Sequence, residues 1–217
     1  MKLSKARATY GMLAALVQVL ALFVGLSAAH GRTLKVVAFG DSLTAGYGVK
    51  PGLRFPEVLE KALKAKGYDV SVINAGVSGE TAEDGLARFD WSVPAGTDAL
   101  IVELGANDML RGLPVAGAKR ALAAILAKAK QAHIPMLLAG MRAAPNLGPE
   151  YRAAFDRIYP DLAAEYGVAL YPFFLDGVAA NPKLNQPDGL HPTPEGVKII
   201  VAHILPAVEA LLDRARM

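Results

Sequence analysis

Between residue 33 and the C-terminus, five short apolar runs alternate with longer stretches of helical periodicity. The runs are Leu34–Phe39, Val70–Asn74, Ala99–Leu104, Pro135–Ala139 and Val168–Tyr171. They are short, rich in Val, Ile and Leu, and almost free of charge, which is the pattern of strands buried on both faces. Helix signals fill the intervals. Pro56 sits at a first-turn position of a helix that stops at Gly67. A shorter helix is expected over residues 81–89, and an Ala-rich amphipathic one over Val115 to Ala132. Pro149 to Tyr166 reads as helical with a kink at Pro160, and Thr193-Pro194-Glu195 caps and opens a last helix to about Leu212. An order of strand, helix, strand, helix implies a parallel sheet covered by helices on both faces. The expected fold is α/β, a doubly wound three-layer sandwich on a parallel sheet of about five strands. No repeat, low-complexity segment or linker interrupts it, so residues 30–217 read as a single domain.

The chain has 217 residues, and 53% of them are hydrophobic. Much of that excess lies at the start. Lys2, Lys5 and Arg7 precede an uncharged stretch from Ala8 to Ala29 that ends in Ser27-Ala28-Ala29. A basic start, an apolar stretch and small residues at a cleavage point are the layout of a secretory signal. Residues 1–29 are therefore expected to be a signal peptide cleaved after Ala29, leaving the protein periplasmic or secreted. An uncleaved anchor in the inner membrane is the alternative, because the apolar stretch approaches the ~20 residues of a spanning helix. Those residues hold three of the 23 Lys and Arg and none of the 20 Asp and Glu, so the remaining chain is balanced. No nucleic-acid partner follows from the charge. The chain has no cysteine, which excludes disulfides, a cysteine nucleophile and a lipoprotein anchor.

Four short segments carry candidate chemistry: Gly40-Asp41-Ser42-Leu43, Asn74-Ala75-Gly76-Val77-Ser78-Gly79-Glu80-Thr81, Leu104-Gly105-Ala106-Asn107-Asp108 and Asp188-Gly189-Leu190-His191-Pro192. The first three follow strands. In a parallel sheet their loops leave the carboxyl ends of the strands, where open α/β sheets bind ligands. Serine, aspartate and histidine together supply a nucleophile, an orienting group and a base. Ser78 is a decoy, since Gly76-Val77-Ser78-Gly79-Glu80 misses the Gly-x-Ser-x-Gly elbow at its last position. Gly46-Tyr47-Gly48 opens no helix at the offset of a nucleotide loop. His30, His133 and His203 are the other histidines, and they form no ligand cluster with His191 in sequence, so no metal is expected. Arg111 and Arg142 lie near the expected site, with solvated or structural roles as reasonable as substrate binding.

In order and spacing, these four segments resemble the four blocks of the SGNH (GDSL) hydrolase family. The likeness extends over residues 34–212. It is nearest to the bacterial arylesterase, lysophospholipase and acyl-CoA thioesterase I branch, through Val102-Glu103-Leu104-Gly105-Ala106-Asn107-Asp108, Leu110-Arg111-Gly112 and Pro172-Phe173-Phe174. The resemblance implies a flavodoxin-like sheet and an esterase or thioesterase that works without a cofactor through an acyl-serine. It implies Ser42 as nucleophile, His191 as general base and acid, and Asp188 as the residue that orients His191. It also implies an oxyanion hole made by the backbone N–H groups of Ser42 and Gly79 and the side-chain amide of Asn107.

The implied substrates are small acyl esters, thioesters or lysophospholipids, with membrane contact only through the N-terminal segment or a lipid substrate. Leu110, Leu113 and Pro114, in the loop after Asn107, are expected to line an acyl groove, with Phe173 and Phe174 supplying another wall. Two rivals stand beside this expectation. A carbohydrate deacetylase on the same scaffold would need an open polar cleft. A binding module of flavodoxin-like fold would have no catalysis at all.

Overall fold

The structure is a computed structural model that describes residues 32–216. The expected signal segment, residues 1–29, lies outside the described residues. Five strands form one all-parallel sheet: β1 (Leu34–Gly40), β2 (Val70–Gly76), β3 (Ala99–Glu103), β4 (Met136–Ala139) and β5 (Ala169–Tyr171), in the order β2-β1-β3-β4-β5. Every β3 residue is buried, as the apolar run requires. The edge strands depart from that expectation. β2 alternates buried Val70 and Val72 with exposed Ser71 and Ile73, and β5 is half-buried. An edge strand has a neighbour on one side only, so part of its surface stays in water.

The helices are α1 (Ser42–Ala45), α2 (Phe55–Ala65), α3 (Ala82–Ser92), α4 (Ala106–Leu110), α5 (Val115–Gln131), α6 (Pro149–Asp156), α7 (Ile158–Tyr166) and α8 (Pro194–Ala215). Helix α2 packs on α8, while α5 packs on both α3 and α7. Helices therefore flank the sheet in a three-layer α/β arrangement. Thr193 caps α8 as expected, accepting from the Gly196 N–H, and Thr81 caps α3 by accepting from the Asp84 N–H. The expected kink at Pro160 falls earlier. The helix breaks between Asp156 and Ile158, which puts Pro160 in the first turn of α7, where its missing N–H costs no bond. Pro206, by contrast, lies inside α8 without ending it. It is on the exposed face, while Val197, Ile200, Val201, Ile204, Val208, Leu211 and Leu212 anchor the buried one. Among the described residues, no helix is long and apolar enough to cross a membrane.

The register positions the site. Gly40, at the end of β1, pairs with Gly76 of β2 and with Glu103 of β3. The three loops that follow thus start at one level on the carboxyl edge. In this strand order the chain reverses direction across the sheet between β1 and β3, and a crevice opens there.

Candidate active site

Ser42 is the first residue of α1, directly after the turn that ends β1. Asp41 caps that short helix by accepting from the Leu43 N–H at 3.0 Å. The turn is tight: a Cβ on Gly40 would run into Thr44 Oγ1 and the Glu103 carbonyl and carboxyl. Ser42 itself is 9% exposed. Its Oγ lies 3.0 Å from His191 Nε2, and His191 Nδ1 lies 2.7 Å from Asp188 Oδ2. Residues separated by about 150 positions in the chain are thus connected in one line.

Asp188 is well placed to orient the ring. Its Oδ1 accepts the backbone N–H groups of Leu190 and His191 at 2.9 and 3.0 Å, which leaves Oδ2 for the imidazole. Desolvation opposes its ionisation, but the His191 N–H, the His191 ring and the Leu190 N–H outweigh that and hold its carboxyl down at about 2. It is therefore a carboxylate throughout the neutral pH range. Gln186, which sequence reasoning missed, holds the loop. Its N–H donates to the His191 carbonyl at 2.7 Å, and its side-chain amide donates to the Tyr47 and Pro192 carbonyls at 2.8 and 3.0 Å. The Tyr47 ring lies against the imidazole with centroids 4.6 Å apart.

The opposite side of Ser42 carries donors. Gly79 has φ of +85°, a conformation that glycine adopts without strain, and its carbonyl accepts from Arg111 Nη2. The Asn107 amide nitrogen donates to Asp41 Oδ2 at 3.1 Å and to the Glu80 carbonyl at 2.9 Å. It therefore lies between the residue before Ser42 and the residue after Gly79. An oxyanion formed there would have to share or displace one of those two bonds.

Behind the nucleophile lies a pair of buried acids, Asp41 and Glu103. Glu103 is fully buried; its Oε2 accepts from Thr44 Oγ1 at 2.7 Å, and Oε1 has no partner among the described residues. Desolvation, with the nearby Asp41 charge, pushes its carboxyl well above the usual range, which favours its neutral form. Desolvation also raises Asp41, against the Leu43 N–H, the His191 charge and the Asn107 amide, from 3.8 to about 6. A raised carboxyl pKa means that the folded chain holds the proton more tightly than the unfolded one. The contribution of Asp41 to stability is thus greatest below about pH 4 and falls as pH rises toward 6. Asp41→Asn cannot ionise. Relative to the native protein its Tm should climb between about pH 4 and 7, by roughly 5 to 10 °C for a chain of this size. Melting curves across that range test it, and a Tm difference that does not change with pH would refute the assignment.

A cavity of about 370 Å³ opens beside Ser42 and His191. Its lining is largely apolar: Leu43, Ala106, Met109, Leu110, Met141, Ala143, Ala144, Pro145, Phe173, Leu175 and Leu190, with Arg142 and Asn185 among the few polar side chains. Of the residues expected to line an acyl groove, Leu110 and Phe173 are in this wall. Leu113 and Pro114 are not; both are exposed, and the Leu113 carbonyl accepts from the Tyr151 hydroxyl at 3.0 Å. Phe174 is a correction. It is fully buried in the core, its ring 4.9 Å from that of Phe55. The loop after β4, Met141–Pro145, supplies much of the wall, and only its Arg142 was singled out from sequence. The rule that located the other loops, the carboxyl end of a parallel strand, applies to it equally. Arg142 stacks on Phe173, its guanidinium carbon 5.1 Å from the ring centre. Ser78 is exposed and lines a separate groove with Tyr47, Arg54 and Asn74, where among the described residues no His, Asp or Glu joins it. Among the described residues, no three His, Asp or Glu side chains gather closely enough to hold a metal ion.

The profile of the GDSL-like lipase/acylhydrolase family matches residues 38–199. The chain is 39% identical over 194 residues to the esterase TesA of Pseudomonas aeruginosa, a match covering 89% of this chain and 96% of that protein. It is 36% identical over 187 residues to the thioesterase 1/protease 1/lysophospholipase L1 of Escherichia coli K12, covering 86% and 88% respectively. Among solved structures, the SGNH-hydrolase family esterase AlinE4 superposes with a TM-score of 0.72 at 46% identity, over 85% of this chain and 99% of that one.

Proposed function

Since this chain belongs to the GDSL-like lipase/acylhydrolase family, we propose that it cleaves acyl esters and thioesters through an acyl enzyme on Ser42. It is a hydrolase of the esterase and thioesterase type, acting on small-molecule esters. The observation that carries the assignment of residues is the contact of Ser42 Oγ with His191 Nε2 at 3.0 Å, at the mouth of an apolar cavity. Ser42 Oγ attacks the acyl carbonyl carbon while His191 Nε2 takes its proton. Asp188 stabilises the imidazolium that results. The carbonyl oxygen, now an oxyanion, is received by the N–H groups of Ser42 and Gly79 and the Asn107 amide. His191 then gives its proton to the departing alcohol or thiol. Water repeats the sequence on the acyl-serine, and the carboxylic acid leaves.

The apolar wall favours acyl chains over acetylated sugars. A carbohydrate deacetylase needs polar groups for its sugar, and the wall beside Ser42 is formed instead by Met109, Leu110, Met141, Ala144 and Phe173. Each methylene that enters such a cavity contributes up to ~0.8 kcal/mol, about fourfold in kcat/KM. With p-nitrophenyl esters, kcat/KM should rise from acetate towards octanoate, and Leu110→Asp should penalise octanoate much more than acetate. A flat series, or an equal loss on both substrates, would defeat the acyl-chain reading and favour the deacetylase.

Residues 1–29 support export. With Lys2, Lys5 and Arg7 ahead of an uncharged stretch that ends at Ala29, cleavage yields a periplasmic or secreted enzyme with His30 first. N-terminal sequencing of the protein recovered by osmotic shock is the check. Recovery only with detergent, with Met1 or Lys2 at the N-terminus, would show an anchor instead.

A further inference from the structure

We propose that the buried Arg88 is a positioning residue for the oxyanion hole, acting through Gly40 and Glu80. This rests on the reading of Ser42, Gly79 and Asn107 as its donors. Arg88 lies on α3, and only 4% of it is exposed. Its guanidinium sits over the Phe39 ring, 4.3 Å from the ring centre. Nη2 donates to the Gly40 carbonyl at 2.9 Å, Nη1 donates to Ser92 Oγ at 3.0 Å, and Nε pairs with the Glu80 carboxylate.

The places where these bonds land carry the argument. Gly40 is two residues before Ser42, and its carbonyl also accepts the Val77 N–H at 3.1 Å, so strand end and loop meet at one oxygen. Glu80 directly follows Gly79, and its own carbonyl accepts from the Asn107 amide at 2.9 Å. One guanidinium is thereby bonded to the two backbone segments that present the Ser42 and Gly79 N–H groups. Through Glu80 it reaches the segment that holds the third donor. A planar fork with fixed donor directions can hold two acceptors at a set angle, which a lysine ammonium cannot do. Buried ion pairs are poor sources of stability because desolvation offsets their attraction, but they hold one geometry against others. Donors that stabilise a developing charge must stand in place before it forms, and small displacements are costly there.

The test is kinetic. Arg88→Lys keeps the charge and loses the fork; Glu80→Gln keeps the shape and loses the charge. For each, kcat should fall about 10- to 100-fold with KM nearly unchanged. Affinity for a trifluoromethyl ketone, which forms a hemiketal oxyanion on the serine, should fall in step with kcat/KM. Affinity for octanoate, a product without that oxyanion, should not move. The double variant should lose little more than the worse single one. Rates are referred to active sites titrated with a fluorophosphonate, at a temperature well below each Tm. If Arg88→Lys does not fold, the more accessible Glu80→Gln decides the matter. A lowered Tm with kcat and ketone affinity intact would overturn the proposal and leave Arg88 as packing. Asn107→Ala separates the two levels of the argument. If it lowers kcat about 10²- to 10³-fold while the Arg88 and Glu80 variants do not, the hole is real and the positioning role is wrong. If Asn107→Ala also leaves kcat intact, the reading of the hole itself fails.

Discussion

Ser42→Ala should lower kcat/KM on p-nitrophenyl esters by about 10⁴- to 10⁶-fold, the range for loss of a serine nucleophile whose acyl-enzyme route has no substitute. The substitution removes one atom. That oxygen has the imidazole of His191 as its side-chain partner at 3.0 Å, while the backbone of the turn is held independently by the Asp41 cap and the Gly46 N–H bond to the Ser42 carbonyl. The fold should therefore persist, with a stability change within about 1 kcal/mol. Covalent labelling by a fluorophosphonate should disappear together with activity. Labelling that survives, or that maps to the exposed Ser78, would show that the nucleophile lies elsewhere.

Asp188→Asn should cost about 10³- to 10⁴-fold in kcat with the fold intact, for a reason visible in the hydrogen bonds. One carboxylate oxygen takes the N–H groups of Leu190 and His191, and the other takes the ring nitrogen Nδ1. An asparagine would keep its carbonyl oxygen on the two backbone donors and turn its NH₂ towards Nδ1. The ring would then accept at Nδ1 and carry its proton on Nε2, facing Ser42 with a donor where a base is needed. Raising the pH should not restore activity, because the tautomer rather than the charge is wrong. Recovery of the native rate at alkaline pH would contradict this account and reduce Asp188 to an electrostatic role. A variant that fails to fold would be read instead from the Asp188→Ala protein, whose ring is unrestrained and should retain more activity than the asparagine variant.

The local signals and the site residues differ in how they were readable. Gly40-Asp41-Ser42-Leu43 was legible because an apolar run followed by a Gly-Asp-Ser turn is a local pattern, and the run does become β1. The cap at Thr193 was legible for the same reason, as was the proline start of α8. Phe173 and Phe174 were not separable, because two adjacent phenylalanines look alike until one of them meets Phe55. Leu113 looked like a cavity residue because it follows Asn107 in the chain, yet that segment contributes only as far as Leu110 and the loop after β4 supplies much of the rest. Arg88 appeared in sequence as an ordinary charge on a helix. It falls on the buried face of α3 with Ala82, Gly85 and Phe89, but the Gly40 carbonyl it meets there is 48 residues away in the chain.

By itself the sequence determined the class of fold and the loops that carry the chemistry. Short buried runs separated by helices leave a parallel sheet as the arrangement that satisfies both the backbone and the apolar surface. The tertiary structure alone decided the strand order. That order sets β1 beside β3, so that Asp41 meets Asn107 and Thr44 meets Glu103. It also decided that two carboxyl groups would be buried behind the nucleophile, and which loops would close the cavity. Periodicity reports how each segment meets water, within a few residues of itself. Which segments become neighbours depends on packing between elements far apart in the chain, and the electrostatics of the site follow from those neighbours.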